Sequence, residues 1–453
     1  MSTICAISTP NAVGGISVIR LSGEDAINIA EKLFVPFGDK EVQRMQGHTC
    51  AYGKVVHNGE SIDDAVLTVY IAPKSFTGEN TAEISCHGGI FVTKKVLRAC
   101  IECGAMPAQP GEFTKRAFMN GKMTLTQAEA VMELISANGE QALRSANQTR
   151  EGKLFQRIKD VCHTLVEVLG ELAAWVDYPE EDMPEVETPV LMERLEGCIS
   201  KLDTIINSYD KGRVFRTGVD TAIVGKPNVG KSTLMNMLLG FNRSIVTDIA
   251  GTTRDIVEET AVVGDFTLKL SDTAGIRETD DVVETFGVEL AKSKLESCDL
   301  ILAVFDSSTA LTDDDNALLT SLDSDKTLII LNKTDLDKKI SVGDFLDRFK
   351  YVIEISAKNE VGLTEIENSL KEIFSTDMFD SSSYLLANER QRNCALKARN
   401  YLADAIDTLR NGETLDASTV VIDKAADCLL ELTGEKATEA VVDEVFSKFC
   451  VGK

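Results

Sequence analysis

The sequence predicts a multidomain chain: an α+β N-terminal domain over residues 1–118, a discontinuous α-helical domain made of 119–212 and 377–453, and an inserted α/β domain of the P-loop type over 213–376. Three observations carry this. Residues 1–118 mix alternating β-type runs with amphipathic segments, helical periodicity holds from about 119 to Gly212 and again from about 385, and the intervening stretch repeats a strand-turn-helix pattern. At 453 residues the chain exceeds what one core serves, and about 150 residues per domain suggests three.

Each part is legible in order. "TICAIS" and "ISVIRLS" flank the turn "TPNAVGG", where Gly14-Gly15 reads as a hairpin turn because neither a G-x-G-x-x-G spacing nor a helix follows. "AVLTVYIA" and "TAEISCHGG" read as further strands, "EDAINIAEKLF" and "IFVTKKVLRACIECG" as helices. Beyond "GEFTKRAFMNGKM", Thr126 to Glu129 has the spacing of a capping box, with Ala128, Val131, Met132 and Ile135 on one helical face. A longer helix follows with Leu154, Ile158, Val161, Leu165, Leu169 and Leu172 inward, ended by the acidic "DYPEEDMPEVE". Thr188-Pro189 opens a third helix carrying Leu191, Leu195, Ile199, Leu202 and Ile206. The runs "TAIVG", "FTLKLSD", "LILAVFD", "TLIILNK" and "YVIEISA" predict a parallel sheet covered by helices. Insertion of such a domain between two helix ends is topologically simple, since exits from a helical bundle lie at its surface.

Composition removes several classes. No run reaches the roughly 20 apolar residues of a spanning helix, and "MSTICAISTP" lacks the order of a signal peptide, so a cytoplasmic protein without a membrane span is expected. The 11 cysteines read as reduced buried thiols; Cys100 and Cys103 with Cys86-His87 could form a zinc site, but no second paired spacing follows. The formal charge of −25 argues against a general nucleic-acid-coating protein, which needs clustered Lys and Arg. Residues 1–118 carry a net −1 and 213–376 a net −11, so any RNA contact is local or shared with a partner.

The inserted part carries the chemistry. Gly225-Lys226-Pro227-Asn228-Val229-Gly230-Lys231-Ser232-Thr233 fits G-x-x-x-x-G-K-S between a strand and the helix "STLMNMLL". Its glycines let backbone N–H groups converge on phosphates, Lys231 is a point charge for the β/γ oxygens, and Ser232 is a magnesium ligand. Asn332-Lys333-Thr334-Asp335 follows the strand "TLIIL". The Asp335 carboxylate can accept from both the ring N–H and the amine of guanine, a donor pair that adenine lacks, so the nucleotide is GTP. Ser356-Ala357-Lys358 completes the base pocket, and Thr253 supplies a second magnesium-directed hydroxyl. Asp272-Thr273-Ala274-Gly275 is the metal-and-phosphate turn of GTP-hydrolysing switch proteins, yet the following residue, often a Gln that orients water, is Ile276.

The whole chain resembles the MnmE family, also called TrmE, of tRNA-modifying GTPases. The resemblance rests on P-N-V-G-K-S, "RLSG" at 20–23, "SFTGENTAEISCHGG" at 75–89, "PGEFTKRAFMNGKMTLTQAEAV" at 110–131, "TDIAGTTRD" at 247–255, "DTAGIRETDDVVE" at 272–284 and the tail "FCVGK". One departure is "TPNAVGG", where Val13 replaces the Arg of a frequent Gly-Arg-Gly-Gly. The inserted domain is thus expected to be a P-loop GTPase domain, with Thr247, Asp248, Ile249, Ala250, Gly251 and Thr252 also at the nucleotide.

The family also implies how the missing Gln is replaced. It implies potassium beside the phosphates, with Asn228, Thr247, Ile249 and Thr252 as ligands, and Glu284 orienting the water when two such domains meet; from the residues alone, Asn228 reads first as a turn residue after Pro227, and Glu284 fits a solvated acidic loop. Arg254 and Arg277 rank below potassium as sources of that charge. Residues 1–118 are implied to bind a tetrahydrofolate one-carbon derivative, with Arg20, Glu83, Lys122 and Lys453 at matching positions, and to build a homodimer. The implied activity is modification at C5 of the wobble uridine of tRNA, aminomethyl or carboxymethylaminomethyl in type, with an FAD-binding partner of the MnmG type in a hetero-oligomer. A ribosome-assembly GTPase binding ribosomal RNA is the rival, disfavoured by the acidic C-terminal part without a KH-type G-x-x-G. A nucleotide-dependent scaffold with negligible turnover is a third reading.

Overall fold

The computed structural model describes residues 2–38, 41–137, 139–177, 187–241, 259–272, 295, 297–374, 386–412 and 414–452. The chain divides into two compact units, one of Met1–Met132, Thr149–Leu202 and Glu389–Lys453, the other of Glu133–Gln148 and Asp203–Asn388.

The first unit opens with strands β1 (Ile4–Ile7) and β2 (Ile16–Ser22), joined across the Gly14-Gly15 turn as an antiparallel pair. Helix α1 (Ala26–Leu33) and strands β3 (Phe34–Pro36), β4 (Thr49–His57), β5 (Glu60–Tyr70) and β6 (Thr81–His87) follow, then α2 (Ile90–Glu102), β7 (Met106–Pro107) and α3 (Glu112–Met119). The seven strands lie in the order β3-β4-β5-β6-β2-β1-β7. Alternation buries Ile19, Leu21, Leu67 and Ile84 on one face, where Ala30 and Leu33 of α1 and Val96 and Cys100 of α2 cover them. The sequence signals missed β3, β4 and β7. β3 and β7 are too short to show a period, and β4 interleaves its buried Ala51 and Val55 with polar and glycine residues.

Helices α4 (Leu125–Ser136), α5 (Glu140–Arg150), α6 (Lys153–Asp177) and α7 (Thr188–Thr217) come next. The capping box of α4 is two residues earlier than expected: Gln127 N–H donates to Thr124 Oγ1 at 3.3 Å while Thr124 N–H donates to Gln127 Oε1 at 2.9 Å. Glu129 is free for another task. Buried, it takes the Arg390 fork on both oxygens, each at 2.9 Å, and a further donor from Gln391. On α6, Leu154, Ile158, Val161, Leu165 and Leu172 are buried as expected, with Leu169 half-buried and Val168 filling the core beside it. Helix α7 does not stop near Gly212 but continues to Thr217.

The second unit holds β8 (Val219–Val224), α8 (Lys231–Phe241), β9 (Glu259–Val263), β10 (Phe266–Asp272), β11 (Leu300–Asp306), α9 (Asp313–Ser321), β12 (Thr327–Asn332), β13 (Tyr351–Glu354) and α10 (Leu363–Ile373). Its six strands lie in the order β13-β12-β11-β8-β10-β9. Five are parallel, matching the five apolar runs, and β9 is an antiparallel edge paired with β10 that the sequence pattern missed. Near-continuous apolar strands follow from burial on both faces: Ile223, Leu302 and Ile330 enter one core, Ala222, Ile301 and Ile329 the other. Helices α11 (Glu389–Arg410), α12 (Leu415–Thr433) and α13 (Glu439–Ser447) return the chain to the first unit, where α11 and α12 pack through buried Leu402, Ile406, Ile422 and Leu429. Among the described residues no helix is long and apolar enough to cross a membrane.

Candidate nucleotide-binding site

The P-loop joins the end of β8 to the start of α8 through a backbone that repeatedly enters the left-handed region, with φ of 145° at Gly225, 65° at Asn228 and 101° at Gly230. At Gly230 a side chain has no room, because a Cβ would lie 2.2 Å from Asn332 Nδ2. Lys231 Nζ donates to the carbonyls of Gly225 at 2.7 Å and Lys226 at 2.8 Å, so its charge sits inside the loop it follows. Ser232 and Thr233 lie exposed at the N-terminus of α8, where the helix dipole favours an anion.

The Asn332-Lys333-Thr334-Asp335 stretch, expected from the sequence to read the base, is fastened to this loop. Asn332, 2% exposed at the end of β12, donates from Nδ2 to the Val229 carbonyl at 2.9 Å and accepts at Oδ1 from the Ala357 N–H at 3.0 Å. Its amide thus ties the phosphate loop, β12 and the Ser356-Ala357-Lys358 turn into one body. Asp335 Oδ1 accepts from Ser356 Oγ at 2.7 Å. That bond, aided by its backbone and by the Lys358 and Lys333 charges, holds the Asp335 carboxyl below its usual range and keeps it an acceptor. Lys333 stands at φ 64° and donates from Nζ to Asp306 Oδ2 at 2.6 Å.

Sequence reasoning missed the far wall. A cleft of about 310 Å³ lies against the P-loop, lined by Lys226, Asn228, Asp306, Thr312, Asp315 and Lys333 among others. Lys226 Nζ donates to Asp315 Oδ2 at 2.9 Å. Asp315 also accepts from Thr312 N–H and Oγ1, both at 2.9 Å, as the capping box of α9. For Asp306 and Asp315 alike, burial pushes the carboxyl up, but the paired lysine and local donors outweigh it and hold it low. The only sequence signal was Thr312-x-x-Asp315, a capping-box spacing with an acidic third residue.

Of the other expected nucleotide and metal residues, Asp272 ends β10, while Thr247, Asp248, Ile249, Ala250, Gly251, Thr252, Thr253, Thr273, Ala274, Gly275 and Glu284 lie outside the described residues. Among the described residues no group of three His, Cys, Asp or Glu is placed to hold a metal ion. Cys86 is buried, which pushes its thiol up to about 11.

The first unit holds the second cluster. Arg20 and Glu83 face each other across the β2–β6 pair, and Arg20 Nε donates to Glu83 Oε1 at 2.8 Å. Their side chains are 18% and 21% exposed, and the guanidinium carbon lies 5.9 Å from the Phe76 ring and 5.7 Å from the Phe113 ring. Lys122 Nζ donates to the Pro73 carbonyl at 3.0 Å. Lys453 lies outside the described residues, but the tail before it is fixed: Ser8 Oγ donates to the Gly452 carbonyl at 3.1 Å and the Gly111 N–H to the Cys450 carbonyl at 3.4 Å.

The chain is similar to curated relatives along its whole length. The profile "GTP-binding protein TrmE N-terminus" matches residues 3–122 and "MnmE helical domain" matches 125–450. The tRNA modification GTPase MnmE of Acetivibrio thermocellus is 42% identical over 456 residues, covering 100% of this chain and 99% of that protein. That of Thermoanaerobacter sp. (strain X514) is 41% identical with the same coverage. Similar solved structures include an Aquifex aeolicus Era variant bound to GDP.AlF4-, 28% identical over 40% of this chain and 66% of that one, with a TM-score of 0.27. The T. maritima FeoB G domain is 24% identical over 34% of this chain and 98% of that one, with a TM-score of 0.27. End-to-end identity at this level, over relatives of the same length, establishes that the chain belongs to the MnmE family of tRNA modification GTPases.

Proposed function

We propose that this chain is a potassium-stimulated GTPase. With an FAD-binding partner of the MnmG type, it modifies C5 of the wobble uridine of tRNA using a folate one-carbon unit. The observation that carries the nucleotide half is the Asn332 amide, which binds the phosphate loop on one side and the base-pocket turn on the other, so phosphate and guanine are read by one rigid body. The tRNA half rests on the family. Magnesium fits the loop, whose glycine positions leave a cradle for phosphates and whose helix carries Ser232 in its first turn. When bound it would be held by Ser232 and Thr253 and neutralise phosphate charge.

Potassium is assigned to Asn228, exposed on the loop, together with Thr247, Ile249 and Thr252. Glu284 takes the water-orienting role that Ile276 cannot fill. The chain is proposed to act as a cytoplasmic homodimer organised as 1–118, 119–212 with 377–453, and 213–376, with Arg20, Glu83, Lys122 and Lys453 at the folate.

Three measurements test this. Nucleoside analysis of tRNA from cells lacking the protein is expected to show the unmodified wobble uridine; an unchanged profile removes the tRNA assignment. GTP turnover is expected to be faster in potassium than in sodium at equal ionic strength, with the difference flattened in Asn228→Ala, and equal wild-type rates would sink the cation assignment. In single-turnover hydrolysis, Glu284→Ala is expected to slow the reaction by about 10²-fold or more without weakening GTP binding, whereas Glu278→Ala is not. If both are slowed, or neither, Glu284 loses its role.

A further inference from the structure

The far wall of the cleft contains Asp306, which meets the Asn332–Asp335 stretch through strand register and through one lysine. Asp306 is the last residue of β11 and pairs in register with Asn332, the last residue of β12. The two strand ends are locked there, since the Ser307 N–H donates to the Asn332 carbonyl at 2.9 Å. Asp306 Oδ1 is taken by Ser308, whose N–H donates at 2.9 Å and whose Oγ donates at 2.7 Å, while Oδ2 takes the Lys333 ammonium at 2.6 Å. The carboxylate is therefore fixed by its own turn before the lysine reaches it. Its side chain is 12% exposed and that of Lys333 31%, so this pair is shielded more than a surface ion pair.

We propose that Asp306 is a positioning residue of the nucleotide site, holding the Lys333 side chain in its bound arrangement before nucleotide arrives. The proposal rests on reading this cleft as the GTP site. A free lysine stem populates many rotamers, and ordering it on binding weakens affinity; Asp306 orders it in advance. An ammonium already engaged by a carboxylate is also a poor phosphate clamp, so Lys333 serves the base side through its stem while Lys231 serves the phosphates. Lys226 and Asp315 form a similar pair on the same cleft, anchored by Thr312, but they hold the P-loop and not Lys333, which makes Asp315 the comparison residue.

The test is a double-mutant cycle on the full-length chain, read as the dissociation constant of a fluorescent GDP analogue. Asp306→Asn keeps an oxygen for Ser308 but removes the charge that holds Lys333, and is expected to weaken binding about ten-fold. Lys333→Met is expected to weaken it at least as much, and Asp306→Asn added to Lys333→Met to change it less than about two-fold further, because the anchor then has nothing to hold. Asp315→Asn added to Lys333→Met should instead multiply the two separate losses. Independent losses for Asp306 and Lys333, or wild-type affinity in Asp306→Asn, would overturn the proposal. Failure of the wild type to bind the analogue is a different result and sinks the GTP reading itself. Should circular dichroism show Asp306→Asn to be unfolded, Ser308→Ala loosens the same carboxylate while keeping its charge; it is expected to weaken binding about three-fold alone and not at all on top of Lys333→Met, and additivity there counts equally against the idea.

Discussion

The nucleotide cradle and the Arg20–Glu83 cluster, proposed above for folate, are built in opposite ways. The cradle is a run of neighbours, Gly225 to Thr233, whose backbone does the work and whose shape is set by positive φ at two glycines and Asn228. The cluster joins residues 63 apart in sequence through the register of two antiparallel strands, and it works through side chains alone. A backbone site tolerates side-chain changes that keep its torsions and fails when a Cβ intrudes. A side-chain site tolerates backbone neighbours and fails when one charge is lost.

The largest effect expected from this contrast is at Gly230. Gly230→Ala places a Cβ 2.2 Å from Asn332 Nδ2 at φ 101°, and Asn332 cannot withdraw without giving up the Val229 carbonyl or the Ala357 N–H. Strain of this kind costs about 1–3 kcal/mol, and a buried amide left unpaired about as much again. Affinity for a fluorescent GDP analogue is therefore expected to fall by about 100-fold or more, with the circular dichroism of the chain retained. A loss of under about three-fold would show that the loop adapts, and that the backbone account of the cradle is wrong.

That same difference explains what was legible in the sequence. Gly-x-x-x-x-Gly-Lys-Ser and Asn-Lys-x-Asp are readable because each is contiguous and sits at a strand end, so local order alone places the groups. Asp306 and Asp315 were not, because each acts on a lysine distant in sequence, 27 and 89 residues away, and only the order β12-β11-β8 brings them together. Register decides Arg20 and Glu83 too, and the family resemblance supplied them where spacing could not. The five parallel strands were visible as apolar runs buried on both faces, but β9, a short edge strand that buries only Ala261 and Val263, gave no such run. At α4 the pattern was right and its phase wrong: Thr124 and Thr126 both stand three residues before a Gln or Glu, and the tie was broken by Glu129 pairing with Arg390, a residue 261 positions away.

A smaller effect is expected at the N-terminal cluster. Glu83→Gln leaves the Arg20 guanidinium partly buried without its counter-charge, still flanked by the Phe76 and Phe113 rings. Both side chains keep some solvent access, which discounts the penalty to about 1–2 kcal/mol of stability, read as a lower urea midpoint for the first unit. Binding of a one-carbon tetrahydrofolate, measured by calorimetry, is expected to weaken about ten-fold, since an amide pairs less well than a carboxylate with an amino-pyrimidine edge. Affinity for the GDP analogue should not change. A matched loss at both sites would show that Glu83 acts on the fold and not on a local ligand.

The smallest effect tests the contrast from within one element. Gly240 lies in the same helix that Gly230 introduces, near its C-terminal end, exposed, and among the described residues a Cβ added there meets nothing within 4 Å. Its backbone is not among the positive-φ glycines. Alanine therefore brings no clash or torsional strain and removes freedom from the unfolded chain, so Gly240→Ala is expected to stabilise the second unit by about 0.5–1 kcal/mol. Because a multidomain chain does not unfold in two states, the transition to follow is the urea midpoint for loss of the bound GDP analogue. A raised midpoint with unchanged affinity places the sensitivity of this helix at its first turn, where backbone meets phosphate. A loss of affinity comparable to that of Gly230→Ala would mean that α8 as a whole, and not the approach of Gly230 to Asn332, sets the cradle.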